Sequence, residues 1–526
     1  MEGSLSIWAK TAPTAAMPEL SGELQADACI IGGGIAGLTT AYLLSLEGRR
    51  VVLLEARDLG SGETGRTTAH LMPPDEWYHC IEENFGSVNA RLVAAGQMAA
   101  IDQVAAIVGS EGLDCEFERL DGYLYSAIGD PNEIRRECEA ATRAGLEAEL
   151  LPQVPGLPFE SGTCVRYAQL AQFHPLKYLD GLAGCIRRRE GRIFCGSRAT
   201  GIDRVGDKLL VNTANGRVVA NAVVVATNTP FNNRVVLHTK QNGYRTYVIG
   251  MEVPRGSLPR MLLWDTGDPY YYYVRLESGG ASPGHDVLIV GGCDHKVGQD
   301  DDPRHRHDQL EAWARQRFPM AGAVTLRWSG EVMEPADGLP FLGRNPADDS
   351  QVFVISGDSG TGMIHCTLGA MIVRDLVIGR ENPWAELYDP ARKPFHGMKE
   401  FMQEQLNTLA QYGHWLRGGE VESAVEIAPG QGAILNRGAK KVAVYRDDDG
   451  GLHAMSATCT HLGCAVSWNP AERSWDCPCH GSRFSAEGEV LHGPANTALA
   501  AEELDDDEAG IRPVPGQHGS SHRPPR

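Results

Sequence analysis

Ala26-Asp27-Ala28-Cys29-Ile30-Ile31-Gly32-Gly33-Gly34-Ile35-Ala36-Gly37 reads as a short buried strand running directly into a glycine turn. A helical stretch follows to about Glu47, and Arg49-Arg50-Val51-Val52-Leu53-Leu54-Glu55 forms a second apolar strand ending in an acid. Strand, turn, helix and second strand make a βαβ unit with the spacing of a dinucleotide site. Gly32 makes the tight turn, Gly34 lets the backbone approach a pyrophosphate, and Gly37 lets the helix pack on the sheet. Beside them, Ile35 and Ala36 open the helix, whose unpaired N–H groups and positive dipole end suit phosphate. Glu55 is placed to accept ribose hydroxyls, with Ala56 and Arg57 following it along the nucleotide.

Two later blocks decide which dinucleotide is expected. Gly60-Ser61-Gly62-Glu63-Thr64-Gly65-Arg66-Thr67-Thr68-Ala69-His70 follows the second strand as a phosphate and ribityl clamp, with Arg66, Thr67 and Thr68 as its contacts. Phe353 to Ser356 reads as a strand, and Gly357-Asp358-Ser359-Gly360-Thr361-Gly362-Met363 as a glycine turn and helix start near residue 361. Such a helix aims its positive end at a flavin ring. These blocks resemble the D-amino-acid oxidase-like family of FAD oxidoreductases, over about residues 25 to 380. The resemblance implies FAD, an α/β nucleotide domain with a Rossmann-like βαβ core, and an interleaved antiparallel substrate sheet. It also implies that the strand ending at Ala226 and Thr227 touches the adenosine. Gly357-Asp358-Ser359-Gly360 looks like the nucleophile turn of a serine protease, but without a positioned His and Asp this serine is only a turn residue.

A second constellation lies near the end of the chain: Cys459-Thr460-His461-Leu462-Gly463-Cys464, then Cys477-Pro478-Cys479-His480-Gly481-Ser482. Two thiolates and two imidazoles on facing loops can hold a [2Fe-2S] cluster, Cys459 and Cys477 on one iron, His461 and His480 on the other. A Cys2His2 zinc knuckle uses the same ligand types, but it requires neither Cys464 and Cys479 nor the glycine turns. The boxes resemble those of Rieske iron-sulfur proteins over roughly residues 420 to 515. That resemblance implies an all-β domain, a Cys464–Cys479 disulfide tying the loops, and a hydrogen bond from Ser482 to cluster sulfur. Phe484 stands where high-potential members carry a tyrosine. Rieske oxygenases place their cluster domain before a long mononuclear-iron domain, for which too few residues follow His480.

Composition narrows the setting. The 526 residues exceed one core, and 42% hydrophobic with 22% charged residues is ordinary for a globular protein. A net charge of -20 disfavours nucleic acid and anionic membrane as partners. Neither a signal-peptide h-region nor a run of about eighteen apolar residues is visible, so no membrane span is expected. The 13 cysteines, an odd number without a framework, suggest a reducing, cytoplasmic setting.

The expected order is an N-terminal segment (1–24), the FAD oxidoreductase part (25–380), a linker with a helix (381–419), the cluster domain (420–516) and a disordered tail (517–526). Within it, helices are expected over 88–109, 131–146, 175–190 and 397–416. Strands are expected over 122–126, 208–212, 217–226, 247–251, 270–275 and 287–291.

The substrate side is less sharply written. Candidates are His70 after the clamp, Phe173 and His174, Tyr244, Arg245 and Tyr247, the Tyr270–Tyr273 run, Arg275, His295 with Lys296, and His365 in the helix start. Of these, His70, His174, Tyr247, Arg275 and His365 are carried forward as catalytic candidates, an Arg being able to grip a carboxylate. The two cofactors together imply oxidation of a small amine or amino acid at the flavin, with the cluster releasing single electrons to an unknown acceptor. A reductase fed through the cluster and a redox-sensing cluster module use the same residues.

Overall fold

The strand Gly22–Ile31 lies inside a parallel sheet, between Val51–Leu54 and Gly216–Val225, in the computed structural model of the chain. The structure describes residues 5–12, 15–73, 77–126, 131–232, 237–267, 271–280, 282–299, 303–346, 348–393, 420–437, 440–505 and 508. Ala28 and Ile30 face one hydrophobic core, shared with the helix Ile35–Leu46, while Cys29 and Ile31 face another with Leu209, Val211 and Val218. Both faces are covered at the end of the strand, which is why Ala28–Ile31 is a continuous apolar run rather than an alternating one. Among the described residues the order across this sheet is Phe341–Arg344, Val352–Ser356, Gly216–Val225, Gly22–Ile31, Val51–Leu54, Arg192–Phe194. Val352–Ser356 pairs in parallel with Gly216–Val225, so the late glycine turn is delivered to the same sheet end as the first.

A second sheet lies over the first. Its order is Val324–Pro335, Gln241–Pro254, His285–Lys296, Tyr272–Glu277, Leu262–Asp265, Glu118–Tyr125, Cys164–Gln172, His70–Leu71. It is antiparallel as expected, except that Leu262–Asp265 runs parallel to Glu118–Tyr125. That junction is where two distant stretches of chain meet, so no hairpin dictates an antiparallel partner there.

Helices form at Pro131–Ala144 and Pro175–Arg188, close to expectation. The helix expected over 88–109 instead spans Tyr78–Glu111, with a break at Gly86 (φ 82°). Its early start has a distant cause: the Glu137 carboxylate accepts from the backbone N–H of Tyr78 at 3.0 Å and of His79 at 3.1 Å. By length and composition this helix could cross a membrane, yet Val93, Ala94, Ile101 and Val104 sit in the main core.

The N-terminal helix Ile7–Thr11 is tied down by Trp8, which is fully buried and donates from Nε1 to the Thr67 carbonyl at 2.7 Å. Beyond residue 420 a three-stranded sheet (Gln431–Arg437, Lys440–Arg446, Leu452–Ser456) packs beside a four-stranded one (Ser467–Asn469, Ser474–Asp476, Arg483–Ser485, Val490–His492). Trp475 and Phe484, both fully buried, centre this all-β core. The helix expected over 397–416 and the tail from 517 lie outside the described residues.

Candidate functional site

The first glycine turn is built by exclusion. Gly32 has φ 115°, and a Cβ there would run into the Ala226 carbonyl; one on Gly37 would run into the Gly32 carbonyl. No other residue fits either place without moving a strand or the helix. A Cβ on Gly34 would lie 3.0 Å from Thr64 Oγ1, which accepts from Ile35 N–H at 3.1 Å. Glu55 is fixed from two sides, Oε2 accepting from Gly33 N–H at 2.6 Å and Oε1 from Arg57 N–H at 2.9 Å.

These residues open a long cavity. Gly32, Gly34, Ile35 and Ala36 line it, with Glu55, Ala56 and Arg57. Arg66, Thr67 and Thr68 of the clamp line it further along, as do Ala226 and Thr227 at the end of their strand. Asp358, Gly360, Gly362 and Met363 close the far end, whereas Gly37, Gly357 and Thr361 stand behind the wall and shape it. Gly357 (φ 72°) packs so closely that a Cβ would lie 2.9 Å from Pro335 Cγ. The helix that follows spans Gly362–Ile378.

The catalytic candidates separate into two groups. His70 and His365 both line the cavity. His365 Nδ1 lies 2.8 Å from the Asp358 carbonyl oxygen and Nε2 has no hydrogen-bond partner, so Nδ1–H donates and a neutral Nε2 is left as an acceptor. Burial pushes its pKa down to about 4 and that of His70 to about 3. His70 is bonded at both nitrogens, to Thr68 Oγ1 (3.0 Å) and the Val274 carbonyl (3.2 Å).

His174, Tyr247 and Arg275 do not line the cavity. His174 caps the helix Pro175–Arg188 and bonds Thr11, and the Tyr247 hydroxyl meets His295 at 2.9 Å. Arg275 is buried, donates to the Ala69 carbonyl at 2.7 Å, pairs with Glu277 and lies over the Trp8 ring. Its guanidinium joins scaffold elements. Tyr273, from the tyrosine run, does line the cavity.

The two cluster boxes form facing turns. Cys459 N–H donates to the Cys464 carbonyl and Gly463 N–H to that of Cys459; Cys477 N–H donates to the Ser482 carbonyl and Gly481 N–H to that of Cys477. Gly463 and Gly481 take φ 79° and 76°, which the turns require. Cys464 and Cys479 are joined by a disulfide. The candidate ligands Cys459 and Cys477 are buried, and the rings of His461 and His480 stand 5.0 Å apart. Burial lowers the His480 pKa to about 4, which favours the neutral imidazole that ligates metal. Ser482 is fully buried; its Oγ hydrogen-bonds Cys459 and accepts from Ala495 N–H at 3.0 Å. Four ligand side chains of the right types on two braced loops fit a [2Fe-2S] cluster, and the glycine cradle with the orphaned His365 Nε2 fits FAD.

Between cavity and cluster lies a buried charge network that the sequence did not announce. Arg66, Arg245 and Arg483 face Glu63, Glu331, Glu472 and Asp476. Arg66 reaches Glu472 at 3.3 Å, Arg483 reaches Asp476 at 3.1 Å, and Arg245 stands 3.6 Å from Glu331. Three guanidiniums thus face four carboxylates in a buried setting. Among the four, Glu331 is the one neither of whose oxygens has a hydrogen-bond partner, so its ionised form is the least compensated. Burial raises its pKa well above the usual range, although Arg245 pulls the other way. Glu63, Glu472 and Asp476 are held low against burial, Glu63 by His492 and then Arg245 and Arg66, Glu472 by Arg66, Arg245 and Arg483, and Asp476 by Arg483 and Arg245. His492, from the cluster domain, lies 3.8 Å from Glu63 and 3.9 Å from Glu331, and burial lowers its pKa to about 4.

Comparison with known proteins agrees with this geometry. Residues 27–376 match the family described as DAO, FAD dependent oxidoreductase, and residues 419–503 match the Rieske [2Fe-2S] domain. Protein YhfW of Bacillus subtilis (strain 168), named as a Rieske 2Fe-2S iron-sulfur protein, is 31% identical over 511 residues, 96% of this chain and 98% of its own. Gamma-glutamylputrescine oxidoreductase of Escherichia coli (strain K12) is 25% identical over 396 residues, 72% of this chain and 89% of its own. The fold of glycine oxidase from Geobacillus kaustophilus superposes with a TM-score of 0.60 at 18% identity, covering 70% of this chain and 99% of that one. The chain therefore belongs to the FAD dependent oxidoreductase family, with FAD as its flavin and a Rieske domain carrying a [2Fe-2S] cluster joined to the same fold.

Proposed function

We propose that the protein oxidises a small amine or amino acid at the flavin and passes the electrons singly through the cluster to an acceptor. The observation that carries this reading is the shared wall between cavity and cluster. Glu331 lines the cavity, and Gly481, next to the candidate ligand His480, packs so closely that a Cβ would run into its carboxylate. A second contact runs alongside. The His238 ring stands 4.8 Å from that of His461 and 6.3 Å from that of His480. Three residues on, Gln241 donates at 3.0 Å to Ser356, another cavity residue.

FAD supplies what neither substrate nor cluster has, acceptance of an electron pair and release of single electrons. The chain binds, orients and shields. His365 offers its unprotonated Nε2 as an acceptor for a substrate N–H, and His70 with Tyr273 walls the same space. Arg275 is left as a strut outside the cavity, since its two terminal nitrogens already serve Ala69 and Glu277. The amine and amino-acid class is supported by the printed activities of relatives, a gamma-glutamylputrescine oxidoreductase and a glycine oxidase. A cytoplasmic setting is supported by the nine cysteines outside the cluster boxes, none of them in a disulfide.

Anaerobic stopped-flow mixing with a panel of amines and amino acids tests the reading. At least one compound is expected to bleach the flavin, followed by the electron-paramagnetic signal of a reduced cluster. A panel that leaves the flavin oxidised would remove the amine assignment, and bleaching without cluster reduction would remove the outlet.

A further inference from the structure

We infer that the cluster domain supplies part of the FAD site: residues 491–496 form one wall of the flavin cavity, so the dinucleotide is held between two domains. Leu491, His492, Gly493, Ala495 and Asn496 line the same cavity as Gly32 and Glu55. Their position is set by the cluster fold. The strand Val490–His492 is the edge of the four-stranded sheet, and Ala495 N–H donates to Ser482, the residue braced against Cys459.

The segment is tied to the flavin domain at both ends. On the Glu55 side, Asn496 Nδ2 donates at 3.2 Å to the carbonyls of both Ala199 and Thr200, and Arg198 donates at 3.0 Å to the Val490 carbonyl. Arg198 and Ala199 themselves line the cavity. On the Glu331 side, His492 Nε2 meets Asn228 Nδ2 at 3.4 Å and sits between the Glu63 and Glu331 carboxylates. An amide, an imidazole and an apolar side chain in one wall suit a ligand that is both flat and polar.

Removing this wall takes Leu491, His492, Gly493, Ala495 and Asn496 out of the cavity lining. A ligand held by two bodies also holds them to each other, so FAD binding and domain docking strengthen one another by the same factor.

The test uses the full chain with its cluster in place and needs no substrate, so its outcome stands apart from the amine assignment. FAD is stripped and titrated back while flavin fluorescence is followed, and visible circular dichroism of the cluster reports that the domain is folded. Asn496→Ala removes two hydrogen bonds that hold this wall against the Ala199–Thr200 edge, and through that coupling it is expected to weaken FAD about five-fold or more, with the cluster signal unchanged. Leu491→Ala is expected to weaken it several-fold, and Glu487→Ala, on the exposed edge of the same domain, by less than about two-fold. A second arm needs no substitution: adding FAD to the stripped protein is expected to raise the temperature at which the cluster signal melts. FAD affinity within about two-fold of the parent in both Asn496→Ala and Leu491→Ala, or a cluster melt indifferent to FAD, would overturn the inference.

Discussion

Glu331 shows what a single buried carboxylate does when its neighbours are already paired. Glu63 takes the Glu331 backbone N–H, Glu472 takes the Ser329 hydroxyl, and Asp476 takes Asn469, Ser474 and Arg483. Glu331 keeps only Arg245 at 3.6 Å and His492 at 3.9 Å, both beyond hydrogen-bond reach, and burial raises its pKa well above the usual range, which favours the protonated acid. An acid whose folded pKa lies above its unfolded value binds more protons folded than unfolded. Its contribution is therefore intact below the ordinary glutamate pKa and declines as pH rises through the folded value. Glu331→Gln, which mimics the protonated acid, is expected to match the parent near pH 5. It should then gain on the parent above that pH by about 1.4 kcal/mol per pH unit until the folded pKa is passed. Urea melts at several pH values check this, and parallel curves for the two proteins would mean that Glu331 is ionised in the fold. The network was hidden in the sequence because its members come from four separate stretches. Arg275 was more legible than it was read: Glu277, two residues on, lies on the same strand face and was available as its partner.

At the scale of elements, positions dictated by backbone geometry were legible and positions dictated by distant contacts were not. Gly32 and Gly37 had to be glycine because a strand and a helix meet there, and spacing alone exposed them. Gly37→Val is accordingly expected to force helix Ile35–Leu46 off the sheet and to lower the flavin-to-protein ratio about tenfold or more, read from the absorbance of purified protein. The paired boxes were legible for a similar reason, since each closes a turn within a few residues. The start of the helix at Tyr78 was not, because its cap is Glu137, far along the chain. Trp8, which supports both the clamp and Arg275, carries no local signal at all. The disulfide belongs to this scale as well: Cys464 and Cys479 are 15 residues apart. By loop entropy, Cys464→Ser is expected to cost the cluster domain about 3 kcal/mol. Chemical denaturation followed by the visible circular dichroism of the cluster measures this, and a loss under about 1 kcal/mol would show that the cluster loops hold without it.

At the scale of the molecule, the cluster domain is docked rather than tethered. The side chain of Glu472, in the turn before the second box, is 3% exposed because Arg66 and Ser329 of the flavin domain cover it. Pro478 abuts Gly298, and Gln299 donates to its carbonyl at 3.4 Å. Each contact crosses between domains beside a cluster loop, and the buried charges among them hold their partners only while the surfaces stay together. A docked pair has no search step, so electron passage from flavin to cluster is expected to be first order. Its rate should be the same over about a hundred-fold range of enzyme concentration and nearly unchanged by added glycerol or sucrose, whereas a swinging domain would slow with viscosity. Glu472→Ala leaves the Arg66 and Arg483 guanidiniums short of a partner in a dry interface and is expected to loosen the docking. In that variant the passage should become viscosity-dependent while the flavin is still bleached at the parent rate. Rapid-mixing measurements on both proteins at two viscosities decide the matter: a parent rate that falls in proportion to viscosity would mean that the domains part during turnover.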